Sequence, residues 1–331
     1  MDILQILLGL GFAIYGAQFL VNGGVAIAKR FNIPDLVIGS TIVAFGTSMP
    51  ELSVNIQSAL AGNTDLALGN ILGSNIFNIC VIVGIVALIT PIAIAANARA
   101  KDLPMCLMAA VVLVVCGNEL YFDGIQYHEL MPSHGIVFLC FFLIFAYYTY
   151  QEAAVGSAAV AAGGAASGGG SSGETSDAAQ MGPIKAAAYI AVGLLGLVYG
   201  GDFIVEGASG VAKSFGLSDR VIGLLIVGPG TSFPELIASV VAALKKEVDM
   251  VIGNVLGSNI INILFTLGVT SLILPVPLDL ELNTSVLFNI GVTLLLVLYA
   301  WFGRGRPIGR FLGVILIVSY VAYIANALGV F

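Results

Sequence analysis

From end to end the chain alternates apolar runs of about 20 residues with short polar connections, and nowhere shows the strict two-residue alternation of a half-buried strand. Runs of that length can cross the ~30 Å hydrocarbon layer as helices. Ten such spans are predicted, over 3–26, 37–61, 67–90, 104–120, 133–151, 184–206, 221–244, 250–274, 284–301 and 308–329. They are too long and too uniformly apolar for barrel strands, so the expected class is an all-α integral membrane protein. The ten divide five and five at 153–183, a stretch rich in Ala, Gly and Ser that has no periodic apolar face and reads as a flexible linker. Residues 1–152 would then form a first five-helix repeat and 184–331 a second. Five is odd, so the second repeat enters the membrane from the opposite side and the two are inverted.

Composition agrees with the pattern. Of 331 residues, 59% are hydrophobic and 9% charged, and the mean hydropathy is +1.04. That is more apolar surface than a soluble globule of this size hides, so the lipid bilayer is the implied surrounding. The net charge of −7 says little about partners, because most acids are expected in short connections. No basic stripe points to nucleic acid. The first run lacks a basic leader and a cleavage site, and is read as a retained span. Cys80, Cys106, Cys116 and Cys140 all fall in apolar runs without metal-ligand or disulfide spacing, and are read as membrane-buried thiols.

The basic residues choose an orientation. With the N-terminus outside, Lys29, Arg30, Arg99, Lys101, Lys185, Lys245, Lys246, Arg304, Arg306 and Arg310 fall on the inner side, against Lys213 and Arg220 outside. Glu119, Asp123, Glu129, Asp279 and Glu281 collect outside. This bias makes the 153–183 linker cytoplasmic in a cell membrane.

Inside the spans the chain repeats itself. Val37–Ile79 aligns without a gap on Val221–Ile263, with 23 of 43 positions identical. The identities gather in polar blocks: Gly46-Thr47-Ser48-Met49-Pro50-Glu51 answers Gly230-Thr231-Ser232-Phe233-Pro234-Glu235, and Gly69-Asn70 with Gly73-Ser74-Asn75-Ile76-Phe77-Asn78 answers Gly253-Asn254 with Gly257-Ser258-Asn259-Ile260-Ile261-Asn262. Pro50 and Pro234 have no N–H and crowd the carbonyl four residues back, so both helices should break near mid-membrane and free backbone carbonyls. Freed carbonyls are tolerated there only inside protein or along a watery cavity, where they suit a hard cation.

Glu51 and Glu235 stand beside these breaks. A carboxylate at that depth costs on the order of 2.5–3.5 kcal/mol on insertion scales unless paired or neutralised. No lysine or arginine lies near either in sequence, so the partner is a proton or a cation. The plainer reading keeps both permanently protonated as helix-packing groups. Thr47, Ser48, Thr231 and Ser232 add hydroxyls. Ser74 and Asn78 share a helix face, as do Ser258 and Asn262, and can aim oxygens at one target or hydrogen-bond between helices. Gly69, Gly73, Gly253 and Gly257 invite close helix approach. Two carboxylates, hydroxyls, amides and carbonyls make an all-oxygen site suited to Ca²⁺ or Na⁺, and the blocks hold no His or Cys for zinc or copper. No cofactor is expected, and His128 and His134 are read without an ion-specific role. Two facing carboxylates would make crossing without ions costly, which is the requirement for obligatory exchange. A cation channel and an intramembrane aspartyl protease are the rival classes, and proton/Ca²⁺ exchange is the rival within transporters.

The blocks resemble the alpha-repeats of the cation/Ca²⁺ exchanger superfamily, G-T-S-x-P-E/D and G-N-x-x-G-S-N-x-x-N/D, and among its branches the prokaryotic sodium/calcium exchangers. The resemblance implies a secondary-active Na⁺/Ca²⁺ antiporter, not an enzyme, with spans 2, 3, 7 and 8 around the site and spans 1 and 6 as a sliding pair. It implies Glu51 and Glu235 as Ca²⁺ ligands with the Thr47 and Thr231 carbonyls. Sodium sites would use the Ala44 and Gly228 carbonyls with Ser48, Ser74, Ser232 and Ser258, and Asn78 and Asn262 would complete the set. Two departures stand out. Some relatives carry aspartate where this chain has Asn262, which bears on stoichiometry and potassium dependence. The second repeat reads Gly228-Pro229-Gly230 where the first reads Ala44-Phe45-Gly46, which should lengthen the break in span 7. Asp202 and Glu206, opposite Gln18 and Asn22 in the repeat register, are read as headgroup anchors or an ion entrance.

Overall fold

The apolar runs fold as helices. A computed structural model of the chain describes residues 2–62, 64, 67–118, 129–161, 181–216, 226, 228–278, 280–303 and 305–328. In order these form α1 (Asp2–Phe31), α2 (Asp35–Thr47), α3 (Met49–Leu60), α4 (Ala67–Ile89), α5 (Ala98–Gly117), α6 (Pro132–Ala161), α7 (Pro183–Ser214), a short turn at Gly228–Gly230, α8 (Phe233–Leu244), α9 (Val248–Ile273), α10 (Leu280–Phe302) and α11 (Arg310–Ala327). Strands β1 (Glu129–Leu130) and β2 (Val276–Pro277) pair antiparallel across two connections.

Among the described residues eight helices are long and apolar enough to cross a membrane, and α2 with α3 makes a ninth span bent by 43°. The predicted span 221–244 begins on residues outside the description, and only the Gly228–Gly230 turn and α8 represent it. Glu119, Asp123, His128, Arg220, Asp279, Arg304 and most of the 153–183 linker likewise lie outside the described residues. One boundary is corrected: α6 runs on to Ala161, into the stretch read as linker. Its sequence there is mostly alanine, the best helix former, and a backbone already helical is extended by propensity after its membrane-spanning part has ended.

The helices sort into a centre and a rim. In α9, 94% of the most apolar window is buried, and in α4 78%, against 17% in α11 and 22% in α6. A helix apolar on all sides and covered on all sides belongs at the middle of a bundle. The lipid-facing rim carries Cys140, exposed on α6, whereas Cys80 and Cys106 are packed inside and Cys116 is half-buried.

The helices α1 and α7 lie antiparallel along a glycine seam. Cβ atoms added at Gly9, Gly16 and Gly23 would stand 2.7, 2.8 and 2.8 Å from the carbonyl oxygens of Gly200, Gly193 and Ala186. The seven-residue spacing keeps the seam on one face over two helical turns at a time, and small residues let the backbones meet. Gly16→Leu is expected to push the pair apart and lower the unfolding temperature in detergent by several degrees, since overpacking costs about 1–3 kcal/mol. Gly11→Leu, with no described neighbour within 4 Å of an added Cβ, is expected to leave it unchanged.

Contacts between connections sort them to two ends of the bundle. At one end Thr64 Oγ1 donates to the Pro275 carbonyl at 2.7 Å and β1 meets β2. At the other, Ile92 and Ile308 exchange backbone hydrogen bonds of 2.9 and 2.8 Å, and Trp301 Nε1 donates to the Arg99 carbonyl. Lys245 and Glu247, between α8 and α9, lie at this second end, where Lys245 Nζ donates to Asn22 Oδ1 at 2.6 Å. Burial and the nearby Asp35 carboxylate hold Glu247 above the usual carboxyl range, against the opposing pull of Lys29 and Lys245.

Candidate functional site

Both polar blocks break their helices in the same way. Ser48 has φ −82°, ψ 7° and Ser232 has φ −90°, ψ 5°, the bridge region between helix and strand. Each serine precedes a helix whose second residue is proline, where the missing N–H is an orphan of the first turn anyway. The break therefore falls at the serine, two residues before the proline. The two differ in one bond: Ser48 N–H donates to Ala44 O at 3.0 Å, whereas Ser232 N–H donates to Pro229 O at 3.0 Å. The turn at Ser232 thus closes on the residue three back, where the turn at Ser48 closes on the residue four back.

Glu51 and Glu235 are 0% exposed, and each reaches across to the other half of the chain. Ser232 Oγ donates to Glu51 Oε1 at 3.2 Å, joined by Ser74 Oγ at 3.2 Å, and Ser48 Oγ donates to Glu235 Oε1 at 3.1 Å. Thr231 stands beside Glu51 and Thr47 beside Glu235. Neither glutamate is ion-paired with a lysine or arginine among the described residues. Five buried oxygens there find no hydrogen-bond partner among the described residues: Oε2 of each glutamate, Ser258 Oγ, and the amide oxygens of Asn78 and Asn262. Buried polar atoms are rarely left unpaired, because each unmade bond costs about 1–3 kcal/mol. All five are electron-pair donors, the chemistry that a cation completes.

The structure thus brings Glu51, Ser74, Ser232 and Thr231 together, and Glu235, Ser48 and Thr47. Ala44 is buried against α9, its Cβ 2.8 Å from a Cβ added at Gly257. Among the described residues Asn78 and Asn262 make no hydrogen bond to the carboxylates. Their amide nitrogens instead donate to Asn259 Oδ1 at 3.0 Å and Asn75 Oδ1 at 3.1 Å. π-helical turns at Asn78–Ile82 and Ile261–Leu267 carry these two asparagines, a distortion common where side chains must be re-aimed.

Several polar residues had no role assigned from sequence. Thr47 Oγ1 lies 3.3 Å from Asn254 Oδ1, and Asn254 Nδ2 donates to Ser239 Oγ at 3.0 Å. The matching positions repeat this, with Thr231 Oγ1 3.4 Å from Asn70 Oδ1 and Asn70 Nδ2 donating to Asn55 Oδ1 at 2.9 Å. The duplication of Asn70 and Asn254 was the available signal. A separate cluster joins Asp102, which accepts from Tyr148 at 2.9 Å, to Glu152, 4.0 Å from Lys101 and bonded to Asn97. Both acids are buried on helices, exceptions to the expectation that most acids sit in short connections. Asp202 and Glu206 are exposed on α7, with Gln5 Nε2 3.4 Å from Glu206 Oε2.

The two walls of the site are unequally covered. Thr47, Asn254, Gly253 and Gly257 are buried, while Thr231, Asn70, Gly69 and Gly73 are half-buried. The looser wall faces the end of the bundle that holds Thr64 and β2.

The model of a family described as sodium/calcium exchanger protein matches residues 1–151 and 185–329. The chain is 32% identical over 343 residues to the sodium/calcium exchanger MaX1 of Methanosarcina acetivorans, covering 98% of this chain and 97% of that protein. It is 30% identical over 322 residues to the inner membrane protein YrbG of Escherichia coli, covering 97% and 94%. Among solved structures it is similar to the sodium-calcium exchanger NCX_Mj, with a TM-score of 0.80, 30% identity and 98% of both chains covered.

Proposed function

Since the chain belongs to the sodium/calcium exchanger protein family, a family of multi-pass membrane cation antiporters and not of catalysts, we propose that it exchanges Na⁺ for Ca²⁺ by alternating access. In this reading ten spans form two inverted five-helix repeats, the first closing with α6 at Ala161 and the second opening with α7 at Pro183, joined by a cytoplasmic linker between them, with the N-terminus outside. The antiparallel seam of α1 and α7, which occupy matching positions in the two halves, supports the inversion.

One observation carries the exchange itself. Two fully buried glutamates from opposite halves face each other without a basic partner among the described residues, each hydrogen-bonded to a serine of the other half and each with one oxygen unpaired among those residues. Ca²⁺ would take Glu51 and Glu235, with the Thr47 and Thr231 carbonyls. Na⁺ would take the Ala44 and Gly228 carbonyls with Ser48, Ser74, Ser232 and Ser258, and the amide oxygens of Asn78 and Asn262 would close the set. One divalent ion or several monovalent ions neutralise the pair. Left uncompensated, the two charges would have to cross a low-dielectric barrier together, so the protein crosses loaded. In the proposed orientation the looser wall at Asn70 and Thr231 opens the site outward.

The test is ⁴⁵Ca²⁺ uptake into proteoliposomes loaded with Na⁺, with K⁺, or at acid pH. Uptake is expected only with internal Na⁺. Uptake driven by an acid interior would assign proton coupling, the second reading, which the two unpaired carboxylate oxygens also support. Uptake indifferent to the internal ion would make the protein a conduit and overturn exchange.

A further inference from the structure

We infer that Asn75 and Asn259 are positioning residues that aim the amide oxygens of Asn78 and Asn262 into the ion site. The inference deepens the proposed function and rests on it, because it takes those two oxygens as ligands.

Four asparagines meet where α4 crosses α9, and all are at most 1% exposed. Asn75 Nδ2 donates to the Asn259 backbone carbonyl at 3.1 Å, and Asn259 Nδ2 donates to the Asn75 backbone carbonyl at 3.2 Å. A backbone carbonyl can only accept. Neither amide can therefore flip without setting oxygen against oxygen, and both must present their own Oδ1 on the other side. Those oxygens in turn accept from Asn262 Nδ2 at 3.1 Å and Asn78 Nδ2 at 3.0 Å. This fixes the second pair: with their nitrogens committed, Asn78 and Asn262 must turn their oxygens the other way. Those two oxygens are the ones of the four left without a partner among the described residues. The chain of orientations starts at the backbone, which cannot rotate, and ends at two buried acceptors of the kind a cation would complete.

The arrangement also specifies residue type. Positions 78 and 262 must donate on one side and accept on the other, which an amide does and an ionised carboxylate does not. The bonds cross between the halves, so Asn75 serves Asn262 on the opposite helix, although Asn78 is three residues away on its own.

The crossing makes the inference testable in the full-length protein by ⁴⁵Ca²⁺/Ca²⁺ self-exchange in proteoliposomes, which needs neither Na⁺ nor a proton gradient. Absence of self-exchange by the wild-type protein would overturn the proposed function itself, and would be seen before any variant is made. Given self-exchange, Asn75→Ala is expected to raise the Ca²⁺ KM about tenfold, the effect of one misdirected buried hydrogen bond, with less change in maximal rate. Added to Asn262→Ala it should have no further effect, whereas combined with Asn78→Ala the two effects should multiply. The symmetric cycle pairs Asn259 with Asn78 and leaves it independent of Asn262. An unchanged KM in Asn75→Ala, or effects that multiply in both combinations, would overturn the assignment. So would failure of both Asn75→Ala and Asn259→Ala to fold while Asn78→Ala and Asn262→Ala do, since that outcome reduces the pair to helix packing.

Discussion

Glu51→Gln and Glu235→Gln are each expected to reduce Na⁺-driven ⁴⁵Ca²⁺ uptake by at least about 100-fold. Removing one member of a buried charged set costs about 3–5 kcal/mol, and each 1.4 kcal/mol is a factor of ten. A single remaining carboxylate cannot balance a divalent ion in a site whose other described groups are neutral. The folded protein should survive, because glutamine keeps an oxygen to accept from Ser232 and Ser74 at position 51, or from Ser48 at position 235. It also removes the repulsion between two facing carboxylates. Thermal unfolding in detergent separates the two effects: without Ca²⁺ the variants should match or exceed the wild-type protein, and added Ca²⁺ should stabilise only the wild type, by mass action on the folded state. A variant that kept rapid uptake would remove that glutamate from the site.

The second large effect is expected at Gly253→Ala. A Cβ there would overlap the Leu36 carbonyl oxygen and stand 2.8 Å from the Ser40 nitrogen and 3.0 Å from the Gly39 Cα. All three neighbours are backbone, so no rotamer change relieves the contact, and α9 must move off α2. Overpacking of this kind costs about 3 kcal/mol, which should lower the unfolding temperature by about 5 °C or more. The move also pulls Asn254 from Thr47, 3.3 Å apart at present, and so loosens the better-covered wall of the site. Transport should fall with stability, and Ca²⁺ should restore less of it than in a variant altered only at the rim. Unchanged stability would mean that α2 and α9 are packed less closely than this geometry requires.

Much of the site was legible because duplication is a strong signal in a chain built mostly of interchangeable apolar residues. A lipid-facing position tolerates Leu, Ile, Val or Phe alike, so identities such as Gly-Thr-Ser-x-Pro-Glu repeated 184 residues apart point to chemistry rather than packing. The prolines announced the breaks, and the structure places both at a serine in the same backbone conformation. The glycine seam of α1 and α7 was less visible, since Gly9, Gly16 and Gly23 gain meaning only opposite Gly200, Gly193 and Ala186. Asp102 and Glu152 went unread because they are far apart in sequence and neither is duplicated. Burial and the partners Tyr148, Asn97 and Lys101 distinguish them from surface acids.

The sequence by itself determined that the chain lives in a bilayer, that it is helical, that it holds two copies of one polar signature and that the signature is rich in oxygen groups of the kind a hard cation prefers. These follow from composition, run length and residue type, which are local properties. Only the tertiary structure decided which groups meet. It sent Ser48 to Glu235 and Ser232 to Glu51, tied Asn78 to Asn259 and Asn262 to Asn75, and covered one wall of the site more closely than the other. The reason is geometric. A hydrogen bond is fixed by two partners and a direction, and here most partners lie on the opposite half of the chain, where no spacing along the sequence can register them.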